Sequence, residues 1–281
     1  MYVELNNEFI SATINSFGAE LMALRKGKTN YIWTIDEKYW NKTSPVLFPI
    51  VGCLKNDNYK IKEEEYHLSR HGFARDCDFK LVTKTATSAT FSLQENDITF
   101  KNYPFQFQLL IKYTLLENEM VLNYTVINNS TNKMPFNIGT HPAFAISNPL
   151  EEYALLFNAS ENFETHELEN DLFSGTKRKI LSENNCISLN EKLFEKDALV
   201  FKNIQSNAIT ILHKKKEYLK MQFENFPFLG IWKKEKAPFL CIEPWTGYAD
   251  TQDTSGLIYE KKDIQILDPK STFNCKLAIT L

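Results

Sequence analysis

Two ionisable residues stand where the surrounding sequence has no structural use for a charge. Glu243 interrupts the apolar run Phe239-Leu240-Cys241-Ile242-Glu243-Pro244-Trp245, and His141 falls in Asn137-Ile138-Gly139-Thr140-His141-Pro142-Ala143-Phe144. A buried carboxylate is costly unless it is partnered or neutralised, and local sequence rules tend to fail where function sits. A histidine and a carboxylate working near neutral pH can perform general acid–base catalysis. The structural alternatives stay open: His141 as a hydrogen-bonded core histidine, Glu243 as an edge-strand carboxylate paired with a lysine. A third segment, Arg70-His71-Gly72-Phe73-Ala74-Arg75-Asp76, reads either as a surface turn or as a ligand contact. Only four of the 32 basic residues are arginine, and two of them flank His71. Where lysine is the default cation, arginine suggests a need for its planar fork. Asp197 alone reads as a solvated loop charge, and Trp232 as a core residue.

Other chemical templates fail. The chain has neither a Gly-x-x-x-x-Gly-Lys phosphate loop nor a Gly-x-Gly-x-x-Gly fingerprint, and no Gly-x-Ser-x-Gly elbow. His67 and His71 have the i, i+4 spacing that faces one metal on a helix, but they lie among strand and turn residues without a third ligand. No metal and no cofactor are expected.

The elements that must position these residues are strands. Phe105, Phe107, Leu109, Ile111, Tyr113 and Leu115 alternate along one face, Glu117-Asn118 turns the chain, and Met120, Leu122, Tyr124 and Val126 repeat the pattern. That spacing predicts a long antiparallel hairpin with one buried face. Phe273, Cys275, Leu277, Ile279 and Leu281 predict a C-terminal strand. Shorter strands are expected at Phe9–Ile14, at Phe79–Thr83 with Thr90–Gln94, and at Ala208–Leu212 with Leu219–Phe223. Helical periodicity is nearly absent, with single turns expected at Asp36–Trp40 and Glu191–Phe194. The fold class is all-β, two packed sheets or a closed barrel, and no linker or repeat divides the 281 residues into more than one domain.

Composition removes several partners. A formal net charge of -3 gives no reason to expect nucleic acid, and His213-Lys214-Lys215-Lys216 reads as a solvated turn balanced by Glu217. No apolar run reaches the roughly 18 residues of a membrane span. The first residues lack the basic end and apolar stretch of a secretion signal. Five cysteines, at 53, 77, 186, 241 and 275, are odd in number and without Cys-x-x-Cys spacing, which favours a reducing cytoplasm over a disulfide framework.

Taken together, Ser44–Gly52, His71–Asp76, Asn137–Phe144, Asp197–Phe201, Leu229–Trp232 and Leu240–Trp245 resemble, in order, the galactose mutarotase-like superfamily, and most of all its bacterial LacX-type branch. The resemblance spans about 200 residues. It implies a β-supersandwich of large twisted antiparallel sheets with a site on a concave face. It also implies a monomer or homodimer acting on a small sugar. The family's catalytic acid falls on His141 and its base on Glu243. His71 and Arg75 would hold sugar hydroxyls, Asp197 would be the sugar-binding aspartate, and Trp232 would lie near the sugar. Similar proteins often carry arginine after Pro-Ile-Val-Gly, where this chain has Cys53. Either that ligand contact is missing here, or Arg75 and Asn56 cover it.

The activity implied is interconversion of sugar anomers: opening a hemiacetal, rotating about C1–C2 and reclosing on the other face. It needs one proton donor and one acceptor, each contributing on the order of 10²–10⁴-fold. The alternatives are a hexose 6-phosphate substrate, a non-catalytic sugar-binding module, and a glycosidase using Asp197 with Glu243.

Overall fold

The computed structural model describes residues 1–147 and 149–281. Alternation governs most of the chain. Phe107–Leu116 pairs with Glu119–Asn128 from Phe107↔Asn128 to Leu116↔Glu119, so Glu117-Asn118 is the two-residue turn expected. Glu117 takes a φ of 50°, as such turns require. Around this hairpin a nine-stranded antiparallel sheet assembles in the order 186–188, 153–157, 208–213, 216–224, 272–280, 119–128, 107–116, 88–94 and 80–84. The C-terminal strand, Thr272–Thr280, lies between Glu119–Asn128 and Lys216–Glu224. Lys214 and Lys215 turn the 208–224 hairpin with left-handed backbone, φ 50° and 65°.

A six-stranded sheet packs on the first. Its order is 199–202, 228–232, 239–245, 139–140 and 46–47, with Ala143–Ala145 also pairing to Phe239–Trp245. One core joins the two: Leu199, Phe201, Leu229, Ile231, Leu240 and Ile242 from this sheet meet Leu109, Tyr124, Met221 and Ile279 from the large one. The alternate residues, Val200, Phe228, Trp232, Phe239, Cys241 and Trp245, belong to separate clusters on the opposite face. Glu243 shares that second face by parity. The carboxylate inside an apolar run is therefore a groove-side residue of a strand whose other side is core.

Sequence expectations shift in two places. The strand anticipated at Phe9–Ile14 runs over Ser11–Asn15, because the Asn7 side chain accepts the Phe9 and Ile10 N–H groups at 2.9 and 2.8 Å and extends the turn. An α-helix, Asp97–Asn102, went unanticipated; at six residues it is too short to show periodicity. A capping box holds it: Asn96 accepts from Ile98 and Thr99, and the Thr99 hydroxyl accepts the Asn96 N–H. Glu191–Phe194 is a 3-10 turn as expected, and Asp36–Trp40 is a turn closed onto the Asp36 carbonyl. No helix among the described residues is long and apolar enough to cross a membrane.

Candidate active site

The groove face of the six-stranded sheet floors a cavity of about 490 Å³. Its walls include His71, Arg75, His141, Asp197, Trp232 and Glu243, six of the seven residues singled out from sequence. Asn56 is not among them. It lies exposed in the Lys55–Asp57 turn with a φ of 59°, a conformation that asparagine tolerates better than most residues.

Backbone pairing brings the segments together. Ile138 N–H donates to Thr246 Oγ1 at 2.8 Å and Thr246 N–H to the Ile138 carbonyl at 2.9 Å. Gly139 pairs with both Trp245 and Leu47. His141 and Glu243 thus arrive from neighbouring strands, with His141 Nε2 3.2 Å from Glu243 Oε2. Their side chains are 10% and 2% exposed, so solvent screens this contact little. The Trp40 ring lies 4.9 Å from the His141 ring, and Trp232 stands nearly perpendicular to it at 5.8 Å. Burial pulls the His141 imidazole down to about 3 and pushes the Glu243 carboxyl well above its usual range, the nearby Asp197 charge adding to the latter. Both directions favour a pair of zero net charge holding one proton between them.

His71 is placed by the Ser44–Gly52 strap. Gly52 N–H donates to His71 Nδ1 at 3.0 Å, which leaves the ring proton on Nε2 and makes that atom a donor. His71 itself has a φ of 68°. Gly72 follows at 70°, and a β-carbon on it would come within 2.3 Å of the Phe48 carbonyl oxygen. Only glycine lets the two segments close this far. Burial, then the neighbouring His141, Arg75 and Arg70, hold the His71 imidazole well below its ordinary value. A neutral His71 is therefore a fixed hydrogen-bond donor. Asp197 has the rare φ of 114°, and its Oδ1 accepts the Ala198 N–H at 2.7 Å. Strained backbone of this kind clusters at ligand sites.

Sequence reasoning left Arg70, Tyr39, Trp40, Asp171 and Lys234 out of the site, yet all five line the groove. Arg70 carried a signal, being one of the four arginines. Its guanidinium lies against Cys53, pairs with Asp171, and is close enough to lower Glu243 and His141. The groove thus has an arginine beside Cys53, supplied by Arg70. Asp171 sits at the tip of the Glu164–Lys179 hairpin, whose two-residue turn Asn170-Asp171 has φ values of 51° and 66°. Leu168 and Phe173 of that hairpin complete one wall.

The arrangement offers a buried acid–base pair, aromatic walls and fixed polar groups. The buried His141 Nδ1, on a groove-lining side chain, has no hydrogen-bond partner. Such an orphan is rare in a finished core and suits a polar ligand. His141, Cys241 and Glu243 also offer metal-ligand atoms within 4.8 Å of one another, a cluster that the search for histidine spacing missed.

Comparison with known proteins bears on the family of the chain. The chain is 31% identical over 297 residues to the plasmid LacX protein of Lactococcus lactis subsp. lactis, covering 100% of this chain and 99% of that one. A galactose mutarotase related enzyme from Lactobacillus acidophilus superposes with a TM-score of 0.93 at 31% identity, over 100% of this chain and 97% of that one. A galactose mutarotase-like protein from Lactobacillus casei ATCC 334 gives 0.93 at 28% identity, over 100% and 99%. The family model for aldose 1-epimerase matches residues 1–264. By sequence and by fold, this chain belongs to the aldose 1-epimerase family.

Proposed function

We propose that the protein is an aldose 1-epimerase that interconverts the α and β anomers of an uncharged aldohexose. The observation that carries this reading is the buried His141–Glu243 contact of 3.2 Å on the groove floor. In a cyclic aldose the C1 hydroxyl and the ring oxygen are both bonded to C1, so two adjacent groups can address them together. Moving the pair's single proton onto His141 creates an acid and a base at once, without changing net charge. Glu243 then takes the C1-hydroxyl proton while His141 protonates the ring oxygen, and the ring opens. Rotation about C1–C2 presents the other carbonyl face, and the two groups exchange roles on reclosure. The raised proton affinity of Glu243 makes it a stronger base, and the Arg70 charge favours the ionised carboxylate when it forms. His71 Nε2–H, Arg75 and Asp197 are suited to orient hydroxyls, and Trp40 and Trp232 to cover the apolar sugar face.

Charge pairing favours an uncharged sugar over a 6-phosphate. Arg70 is engaged by Asp171. Arg75 donates to the Arg70 carbonyl at 2.8 Å and faces Asp76 at 3.5 Å. Lys234 donates to the Tyr39 carbonyl at 2.8 Å. A phosphate clamp would want cations without prior acceptors. The test is polarimetry on freshly dissolved α-anomers, with and without a 6-phosphate. Faster relaxation of a free aldohexose is expected. Catalysis confined to the phosphates would overturn the substrate class. Sugar binding without any acceleration would instead identify a binding module, and nitrophenol release from aryl glycosides would identify a glycosidase.

A further inference from the structure

Cys241 precedes Glu243 by two residues, so both side chains leave the same face of the Phe239–Trp245 strand. The Cys241 thiol sulfur, a His141 ring nitrogen and a Glu243 carboxylate oxygen lie within 4.8 Å of one another, and all three residues are buried. His141 and Glu243 line the groove, and Cys241 packs behind them with Trp33, Ala143, Ala237 and Phe239. Proton transfer to a sugar makes no use of a thiol.

We propose that His141, Cys241 and Glu243 form a binding site for a soft or borderline divalent cation, Zn²⁺ fitting best, and that its occupation blocks the acid–base pair. Imidazole nitrogen, thiolate sulfur and carboxylate oxygen are the donors that zinc accepts, and three protein ligands leave a fourth position for a groove water. Tetrahedral bonds of the usual length hold ligand atoms roughly 3.3–3.8 Å apart, so side-chain torsions need to close gaps of only about 1 Å. Zn²⁺ would take Cys241 as thiolate, Glu243 as carboxylate and His141 as neutral imidazole, releasing one proton from the thiol and one from the acid–base pair to solvent. The two anionic ligands then balance the charge of the cation, which offsets part of the cost of burying it. Binding stands on this cluster alone; inhibition rests in addition on the proposed acid–base role of the pair.

The experiment titrates the chelator-treated full-length protein with Cd²⁺ and with Zn²⁺. It reads the ultraviolet cadmium–thiolate charge-transfer band, stoichiometry and proton release by calorimetry, and mutarotation in parallel. One equivalent should bind, with release of about two protons. Cys241→Ser should abolish the band and weaken Zn²⁺ affinity by about tenfold or more, and should relieve inhibition by Zn²⁺. His141→Asn should weaken binding similarly, which separates the site from a stray thiol. Absence of stoichiometric binding, or a band that survives in Cys241→Ser, overturns the proposal. A band lost in Cys241→Ser together with mutarotation indifferent to bound metal leaves the site standing and overturns the acid–base reading.

Discussion

Glu243 shows why a single residue type can mark a site before any fold is known. Its side chain is 2% exposed, and a charge there survives only with an adjacent partner or a proton. His141 provides the partner, and its own burial has a measurable consequence. Its folded value of about 3 lies below the ordinary 6.5. Between those values His141 binds fewer protons in the folded protein than in the unfolded chain, whereas the raised Glu243 binds more and opposes it above its ordinary 4.5. The His141 contribution to stability therefore rises with pH across this window and is lost as pH falls from about 6.5. His71 acts in the same direction. Thermal melts at stepped pH should show this acid loss, and His141→Asn should show a shallower one; parallel curves for the two proteins would contradict burial of a neutral His141. His141, Glu243, His71 and Arg75 were legible because each broke an apolar or lysine-dominated context. Trp40, Tyr39 and Asp171 were not, since an aromatic pair in a turn and an aspartate at a hairpin tip look ordinary until the groove exists. Asn56 lies outside the groove walls, in an exposed left-handed turn.

At the scale of elements, strand parity and small residues place the chemistry. Trp245 packs its indole over two glycines of adjacent strands. A β-carbon on Gly230 would approach Trp245 Cζ2 and Cη2 to 2.4 Å, and one on Gly139 would approach Cδ1 to 2.6 Å. Gly230 is also the register partner of Glu243. Gly230→Ala should therefore cost about 1–3 kcal/mol by overpacking and lower turnover by displacing the strand that carries Glu243. Chemical denaturation checks the first, and a variant as stable as wild type would contradict the packing. The long hairpin and the C-terminal strand could be read from alternation because one face is core and the other polar. The short strands Val46–Leu47 and Gly139–Thr140 could not. Two residues carry no period, and both are held by long-range pairing with Phe239–Trp245 or with each other.

Across the whole molecule, the groove depends on ties that reach outside it. Asp250 Oδ1 pairs with Lys261 Nζ at 2.7 Å, both side chains 4% exposed, and Asp250 Oδ2 accepts the Lys55 N–H at 3.0 Å. The Asp250 N–H in turn donates to the Cys53 carbonyl at 2.8 Å, next to the Gly52 N–H that orients His71. Asp250→Ala leaves Lys261 charged and unpartnered, and a loss of about 3–5 kcal/mol is expected in denaturant titration. Asp250→Leu combined with Lys261→Met should recover much of it, and an Asp250→Ala protein of normal stability would contradict the account. The central claim is that two segments about a hundred residues apart form one proton-transfer unit. It is tested most directly by measuring mutarotation for Glu243→Gln, His141→Asn and the double variant, with sugar affinity followed by calorimetry. Each single substitution should lower turnover by about 10²-fold or more with little change in affinity, and the double variant should be hardly worse than either. Near-normal turnover in Glu243→Gln, or turnover losses that multiply in the double variant, would contradict it.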